Sequence, residues 1–153
     1  MKRILMVCLG NICRSPLAHG ILESKVNPEK ITVDSAGTAA YHVGKLPDER
    51  SIEVARKYNI NITNQRARKF TVNDFDAFDI IYTMDESNYY NILTLSRGEA
   101  DTCKVKMILN EVYPDQNNSV PDPYYGGKEG FENVYRMLEE ACEIVVNTLD
   151  NER

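Results

Sequence analysis

The stretch Ile4–Pro16, which reads ILMVCLGNICRSP, decides the fold of this chain. Its opening residues are apolar and typical of a buried strand, and Pro16 is suited to the first turn of a helix. A thiol, Cys8, and a guanidinium, Arg14, therefore lie in one loop between a strand and a helix. Because a helix N-terminus offers backbone N–H groups and the positive end of its dipole, this loop is predicted to bind an oxyanion.

Two residues of this loop are candidates for chemistry on a phosphate. The field at a helix N-terminus stabilises a thiolate, so Cys8 is expected to be a charged nucleophile. Arg14 can bind two phosphate oxygens at once, which a lysine cannot do. The alternative is that Cys8 is a small buried apolar residue and Arg14 a surface residue. Their position in a strand-to-helix loop, with Ser15 directly after the arginine, favours the phosphate site.

The composition predicts one globular domain over residues 1–153, located in the cytoplasm. The chain carries a net charge of −5 and has no long basic run, so a nucleic acid is a poor candidate partner. Six apolar residues, Ile4–Leu9, follow Lys2 and Arg3, which is too few for a signal peptide or for insertion into a membrane. Four widely spaced cysteines favour free thiols in a reducing compartment.

Apolar segments alternate with helical patterns along the chain. This order predicts an α/β fold with a central four-stranded parallel sheet flanked by helices on both faces, as in Rossmann-like and flavodoxin-like proteins. The predicted strands are Lys2–Val7, Ile31–Asp34, Asp79–Thr83 and Lys104–Leu109. The predicted helices are Pro16–Val26, Pro47–Tyr58, Glu86–Leu95 and a long C-terminal helix with an apolar stripe from Phe131 to Leu149. Ligands of such sheets bind beyond the carboxyl ends of the strands, where Cys8 lies.

A second loop contains a candidate proton donor. When an alcohol or a phenol leaves a phosphate monoester, its oxygen needs a proton, and Asp122 is the best candidate for that role. It lies between two prolines, which restrict the backbone on both sides, and Tyr124 and Tyr125 follow. On its own this segment would be an ordinary turn with exposed tyrosines. Together with the Cys8–Arg14 loop it indicates a general acid.

With both loops in place, the chain resembles the low-molecular-weight protein tyrosine phosphatases from end to end. The segment Cys8–Pro16 is similar to the phosphate-binding signature of that family, and Asp122–Gly126 is similar to its general-acid loop. Asp34–Thr38 and Met84–Asn88 also look like family segments. The resemblance implies a metal-independent cysteine phosphatase without a cofactor, which acts on phosphotyrosine in proteins and has acid phosphatase activity on aryl phosphates. Inorganic phosphate would be its product and inhibitor.

The resemblance implies catalytic roles that the residue types also support. Cys8 would attack phosphorus and form a phosphocysteine, and Asp122 would protonate the leaving oxygen and later activate water. Arg14 and backbone N–H groups would bind the phosphate oxygens. The phosphate-binding loop consists of Leu9, Gly10, Asn11, Ile12, Cys13 and Arg14.

Three further residues are expected to support this loop. By similarity, Ser15 would donate a hydrogen bond to the Cys8 thiolate, Asn11 would hold the strained loop, and Ser35 would bond to Asn11. Without the resemblance, Ser15 is a helix N-cap and Asn11 a left-handed turn residue, which is compatible with both roles. The family often has a histidine where this chain has Gln65, and the difference is expected to have a modest effect.

The rim of the site is predicted to contact the aromatic ring of the substrate. The residues expected there are Leu9, Ile12, Tyr41, Tyr124 and Tyr125. Scattered exposed tyrosines are the alternative. Related bacterial enzymes that act on phosphoarginine tend to have a threonine and a phenylalanine at two of these positions, so Ile12 and Tyr124 favour phosphotyrosine.

Cys13 is close enough to Cys8 in a curled loop for the two sulfurs to meet. An oxidant is expected to convert them to a reversible disulfide that protects Cys8, as the resemblance also suggests. The alternative is that Cys13 is a small buried filler. His19 and His42 have no evident catalytic role, and both are expected to be partly exposed.

Other functions remain open at this point. A thiol-dependent arsenate reductase can share the fold and the oxyanion loop, but such enzymes usually add a distal cysteine pair, and Cys103 and Cys142 are far apart. A non-catalytic module that binds phosphotyrosine or senses redox state would not need Asp122. A Cys/His acyl hydrolase is disfavoured because no histidine is evidently paired with Cys8.

Overall fold

The computed structural model describes the backbone of residues 1–151 and their side chains, except those of Tyr125 and Asn151. Four parallel strands form one sheet, in the order β2-β1-β3-β4. The strands are β1 (Lys2–Cys8), β2 (Ile31–Gly37), β3 (Ile80–Thr83) and β4 (Val105–Met107). In the register of the sheet, Cys8 lies opposite Gly37 of β2, and Val7 lies opposite Thr83 of β3. The predicted fold class is therefore confirmed.

Helices cover both faces of the sheet. The α-helices are α1 (Arg14–Lys25), α2 (Glu49–Lys57), α3 (Asp74–Ala77), α4 (Glu86–Leu93), α5 (Glu99–Thr102) and α6 (Gly127–Asn151). Ile4 and Met6 of β1 share one apolar cluster with residues of α1 and α6. Leu5 and Val7 face the other side and pack with residues of α3 and α4. Because both faces of β1 are buried, its sequence is a continuous apolar run rather than an alternation.

Several boundaries differ from the prediction by one to three residues. β4 ends at Met107, and a 3-10 helix, Ile108–Glu111, replaces the rest of the predicted strand. Ile108 and Leu109 remain buried, so their apolar character indicated burial and not strand pairing. β2 extends beyond Asp34 to Gly37, whose N–H and C=O bond to the segment Arg68–Phe70. α1 begins at Arg14, two residues before Pro16, and the short helices α3 and α5 were not predicted.

The sheet topology determines where a ligand can bind. The chain leaves β1 towards β2 on one side, and β3 lies on the other side of β1. The order of the strands therefore reverses at β1, and the carboxyl end of this strand is the point where open α/β sheets form ligand crevices. Cys8 is the last residue of β1, and Arg14 is the first residue of the helix that follows.

Candidate active site

The loop Leu9–Cys13, which we call the phosphate loop, presents its backbone N–H groups to its own interior. The carbonyl oxygens of Cys8 and Leu9 accept hydrogen bonds from the N–H groups of Thr38 and Ala39, at 2.9 and 3.0 Å. The carbonyl oxygens of Ile12 and Cys13 likewise accept hydrogen bonds from outside the loop. In a trans peptide the N–H points away from the C=O, so the N–H groups of these four peptide units face the inside of the loop.

These N–H groups are available for a ligand. Within residues 1–151, no N–H group of Leu9 to Cys13 donates a hydrogen bond. A row of unsatisfied N–H groups next to a helix N-terminus is what a phosphate requires. The end of β2 lies so close to the phosphate loop that position 37 requires a glycine. A Cβ on Gly37 would lie 2.7 Å from the carbonyl oxygen of Leu9.

Asn11 holds the turn of the phosphate loop. Its φ of +57° lies in the left-handed region, which asparagine tolerates better than most residues. Its Nδ2 donates to Ser15 Oγ at 2.8 Å, and its Oδ1 accepts from the N–H of Arg68 at 3.0 Å. Because both ends of the amide are used, the loop is fixed to α1 on one side and to the segment after α2 on the other.

The Cys8 sulfur lies at the bottom of the loop, where 2% of the residue is exposed. Its Sγ is 3.0 Å from Ser15 Oγ. Since Ser15 Oγ already accepts from Asn11, its own hydrogen is free to point at the sulfur. The hydrogen-bond chain Asn11 to Ser15 to Cys8 therefore directs a hydroxyl donor at the sulfur.

Arg14 is held so that one edge of its guanidinium faces the site. Its Nη1 donates to Asp85 Oδ2 at 2.7 Å and to the carbonyl oxygen of Val120 at 2.9 Å. Its Nε and Nη2 donate to no group in the described part of the chain. The residue is only 5% exposed, so this second edge can bind two oxygens of a phosphate in a fixed direction.

Asp85 is a site residue that the sequence analysis did not identify. It directly follows β3 at the carboxyl edge of the sheet, and its Oδ1 caps α4 by accepting from the N–H of Asn88 at 2.7 Å. Its other oxygen holds Arg14. The segment Met84–Asn88 resembled the family, and a carboxylate at a strand end is a signal that could have indicated this role.

A cleft of about 240 Å³ opens above the phosphate loop and brings together residues from three loops. Its lining includes these predicted site residues: Cys8, Leu9, Gly10, Ile12, Cys13, Arg14, Tyr41, Asp122 and Tyr124. Asp122 is exposed, and its Oδ1 accepts from the N–H of Tyr124 at 3.0 Å. The predicted contact of Tyr125 with a substrate lies outside the described side chains. A larger groove, of about 880 Å³, lies beside α1 and α6 and contains none of the predicted site residues.

The cleft also contains His42, which was not predicted as a lining residue. A Cβ on Gly10 would lie 3.0 Å from the His42 ring, so the phosphate loop packs closely against this side chain. The ring of Tyr41 meets the ring of His42 edge to face, with 6.4 Å between the centroids. His42 is partly exposed, as expected.

The predicted hydrogen bond between Ser35 and Asn11 is wrong. Ser35 Oγ lies 3.2 Å from His19 Nδ1, and the Asn11 amide is already used by Ser15 and Arg68. His19 Nε2 lies 3.4 Å from a carboxylate oxygen of Glu23, one turn along α1. His19 is therefore buried, which corrects the expectation that it is partly exposed. Burial is possible because both ring nitrogens have partners.

Gln65 binds at a different point of the same region. Its Nε2 donates to the carbonyl oxygen of Pro16 at 3.1 Å. It therefore contacts the first turn of α1 and not the Asn11 amide, whose two ends bond to Ser15 and Arg68. Gln65 therefore supports the phosphate loop indirectly, through the first turn of α1.

Cys13 differs from Cys8 in its environment. Burial, and to a smaller extent the negative charge of Asp48, raise the pKa of the Cys13 thiol to about 12. At neutral pH Cys13 is therefore a protonated thiol. Both cysteines are free and buried, and both line the cleft.

Known proteins resemble this chain over its whole length. The profile of the low molecular weight phosphotyrosine protein phosphatases matches residues 3–153. The chain is 41% identical to the phosphatase of this name from Schizosaccharomyces pombe, over 92% of both chains. It is 38% identical to the human phosphatase of this name, over 92% of this chain and 91% of the human one. The crystal structure of a protein tyrosine phosphatase from Entamoeba histolytica superimposes with a TM-score of 0.92 at 36% identity, covering 99% of each chain. The chain therefore belongs to the low molecular weight phosphotyrosine protein phosphatase family and is a protein tyrosine phosphatase.

Proposed function

We propose that this enzyme hydrolyses phosphotyrosine in proteins, and aryl phosphates in general, through a phosphocysteine on Cys8. One observation carries the proposal: a buried thiol, the free edge of Arg14 and the Asp122 carboxyl line the same cleft. A nucleophile, an oxyanion site and a proton donor are the groups that the reaction needs.

In the first step the Cys8 thiolate attacks phosphorus in line with the leaving oxygen. The S–P bond forms, the P–O bond to the phenol breaks, and Asp122 donates its proton to the phenol oxygen. The free edge of Arg14 and the inward N–H groups of the phosphate loop bind the other three oxygens. Their positive charge and fixed direction stabilise the transition state, and no further cation is required.

In the second step water attacks the phosphocysteine. Asp122, now a carboxylate, takes a proton from this water, so one side chain serves both half-reactions. The P–S bond breaks, inorganic phosphate forms and Cys8 leaves as a thiolate. The hydroxyl of Ser15, 3.0 Å from the sulfur, would donate to the departing thiolate.

The rim of the cleft supports a preference for aromatic substrates. Tyr41 is 74% exposed and Tyr124 is 59% exposed, and both line the cleft beside Leu9 and Ile12. An exposed aromatic side chain at a cleft mouth can stack on a substrate ring. Tyrosine is also a good leaving group, since the pKa of a phenol is about 10, well below that of an alcohol.

An arsenate reductase remains the disfavoured alternative. Cys103 is exposed at the end of α5, whereas Cys142 is fully buried in α6, which does not favour the distal cysteine pair that such a reductase uses. In a reductase or a binding module, Asp122 in the cleft would have no purpose.

Phosphotyrosine proteins are the proposed partners, with inorganic phosphate as product and competitive inhibitor. A cytoplasmic location is proposed because all four cysteines are free, as in a reducing compartment. None of the helices in residues 1–151 has the length and apolar character needed to cross a membrane. Hydrogen peroxide would oxidise the Cys8 thiolate to a sulfenic acid with release of hydroxide. Attack of the Cys13 sulfur on this sulfenic acid, with loss of water, would then give the reversible disulfide.

The test compares the parent with Cys8→Ser and Asp122→Asn on p-nitrophenyl phosphate and on a phosphotyrosine peptide, with a chelator present. The parent should turn over both substrates, and acid quench should trap phosphate on Cys8. Cys8→Ser should be inactive, and Asp122→Asn should lose a factor of about 10² or more on the peptide. Turnover by Cys8→Ser would contradict the proposed nucleophile.

A further inference from the structure

Arg50, in the first turn of α2, contacts the acid loop, which we define as Val120–Gly126. Its Cζ lies 4.9 Å from the centroid of the Tyr124 ring and 4.6 Å from that of Phe131. Both distances are within the range of cation–π attraction. Phe131 is a buried residue of α6, whereas the ring of Tyr124 is largely exposed. Arg50 therefore joins an exposed side chain of the acid loop to a buried side chain of the core.

The other side of Arg50 is bound to Asp48. Nε and Nη2 donate to the two carboxylate oxygens at 3.1 and 3.0 Å, and the N–H of Arg50 donates to Oδ1 at 2.9 Å. Burial by itself would raise the pKa of Asp48, but the hydrogen bonds from Arg50 hold this pKa below its usual range. The guanidinium is thus fixed in direction by a bidentate ion pair.

Asp48 and the next turn of α2 support the phosphate loop directly. The N–H of Asp48 donates to the carbonyl oxygen of Ile12 at 2.7 Å. The hydroxyl of Ser51 donates to the carbonyl oxygen of Cys13 at 3.3 Å. The same helix end that orients two peptide units of the phosphate loop therefore also holds Arg50.

Arg50 adds a contact with the acid loop on the side of α2. At its start, Val120 bonds to the carbonyl oxygen of Met84 through its N–H and to Arg14 through its own carbonyl oxygen. At Asp122, the carboxylate is exposed and accepts from the N–H of Tyr124 at 3.0 Å. Because this N–H belongs to Tyr124, any shift of Tyr124 also moves the donor that orients the Asp122 carboxyl.

We propose that Arg50 is a positioning residue for proton transfer, which ties Tyr124 to α2 and so sets the distance between Asp122 and the phosphate held by the loop. The proposal rests on the proposed function, because it requires Asp122 to be the general acid. Arginine suits this role, since its planar group can bind a carboxylate along its edge while it contacts two rings. The compact ammonium group of lysine cannot do both.

Misplacement of a general acid has a kinetic signature that general loss of structure lacks. A more basic leaving oxygen depends more strongly on protonation in the transition state. Arg50→Gln should therefore lower kcat/KM about tenfold for phenyl phosphate and for a phosphotyrosine peptide, since small displacements of catalytic groups have effects of this order or larger. The loss should be below about threefold for p-nitrophenyl phosphate, whose phenol is more acidic.

Four comparisons make the test specific. Arg50→Lys keeps the charge and should show an intermediate loss, which also covers the case that Arg50→Gln folds poorly. Arg56→Gln removes the same charge from an exposed position of α2 and should leave all rates unchanged. Inhibition by inorganic phosphate should stay within about twofold in all variants, because the phosphate loop is intact. In an Asp122→Asn background, Arg50→Gln should add no further dependence on the leaving group.

The outcomes separate the two levels of the proposal. If Asp122→Asn shows a leaving-group dependence and Arg50→Gln and Arg50→Lys lower kcat/KM equally for all substrates, the positioning role of Arg50 is overturned while the general acid stands. If Asp122→Asn itself lowers all rates equally, the assignment of the general acid fails and the role of Arg50 fails with it. A leaving-group-dependent loss in both single variants, with no dependence in the double variant beyond that of Asp122→Asn alone, supports the proposal.

Discussion

Replacing Asp85 by asparagine should reduce activity without unfolding the enzyme. Asp85 Oδ2 receives the hydrogen bond from Arg14 Nη1 at 2.7 Å, while Oδ1 caps α4 through the N–H of Asn88. Asparagine is as good an N-cap as aspartate, and its Oδ1 has the same reach. The substitution therefore removes a charge from the partner of Arg14 and leaves the cap largely intact.

The magnitude follows from the strength of a charge-assisted bond. Hydrogen bonds to charged groups contribute about 1.5–3 kcal/mol, and they are roughly twice as strong as neutral ones. The substitution leaves a neutral acceptor for Arg14, so about half of this contribution, about 0.7–1.5 kcal/mol, is lost. Because 22% of the Asp85 side chain is exposed, solvent screens part of the charge and the lower half of this range applies. At 1.4 kcal/mol per tenfold change, kcat/KM should fall about three- to sixfold.

The assay is steady-state hydrolysis of a phosphotyrosine peptide, with urea unfolding in parallel. Glu86→Gln is the matched control, because it removes the same charge at the next residue, which is exposed in the first turn of α4. This control should keep parental kcat/KM. Asp85→Ala should instead destabilise the fold by about 3 kcal/mol or more, since it removes the cap and leaves a buried Arg14 without its carboxylate. An Asp85→Asn enzyme with parental kcat/KM would refute the idea that this carboxylate orients Arg14.

Three further predictions concern the thiols and the ion pair of α2. Ser15→Ala should slow hydrolysis of the phosphocysteine by about tenfold and make this intermediate accumulate, because the thiolate leaves without its hydrogen-bond donor. Rapid acid quench would measure the level of the phosphoenzyme, and an unchanged level would contradict the prediction. In folded Cys8→Ser protein at pH 8, iodoacetamide should label Cys103 and spare the two buried thiols, Cys13 and Cys142. Burial raises the pKa of Cys13 to about 12 and that of Cys142 well above its usual range, so both stay protonated. Mass spectrometry of the peptides is the readout, and label on Cys13 would show that its thiol is reactive. Asp48→Asn should lower the free energy of unfolding at pH 7. The difference from the parent should shrink as the pH falls from about 5 through the lowered pKa of Asp48, since the ionised carboxylate that stabilises the fold is lost there. Urea unfolding at several pH values tests this, and a pH-independent difference would assign the effect to another cause.

The sequence predicted the central part of the fold well because burial leaves a strong pattern. The continuous apolar run of β1 indicated a strand covered on both faces, and the strand-to-helix position of the next loop predicted an oxyanion site at Cys8 and Arg14. The apolar stripe of α6 was equally clear. The pattern was less informative at the sheet edge, where Ile108 and Leu109 are buried in a 3-10 helix and not in a strand. Apolar character reports burial, and at an edge burial does not require strand pairing.

Contacts between distant segments could not be predicted in the same way. Arg14 meets Asp85 because β1 and β3 are neighbours in the sheet, which depends on the strand order and leaves no mark in either segment. The pairing of Ser35 with His19 is a similar case. The Ser35 hydroxyl bonds to His19, while the two ends of the Asn11 amide bond to Ser15 and Arg68, and neither pairing can be inferred from the sequence around Ser35.

The phosphate site is a consequence of what holds the loop from outside. The carbonyl oxygens of four peptide units in and beside the phosphate loop are bound by residues after β2, by α2 or by α1, and each such bond turns an N–H group inwards. Folding therefore sets the direction of the donors before any substrate arrives, so little reorganisation remains for the reaction itself. It follows that residues without contact to the phosphate control its binding. A side chain at Gly37 would displace the Leu9 carbonyl, turn one peptide unit and remove one donor, and we expect phosphate affinity to fall although every catalytic side chain is still present.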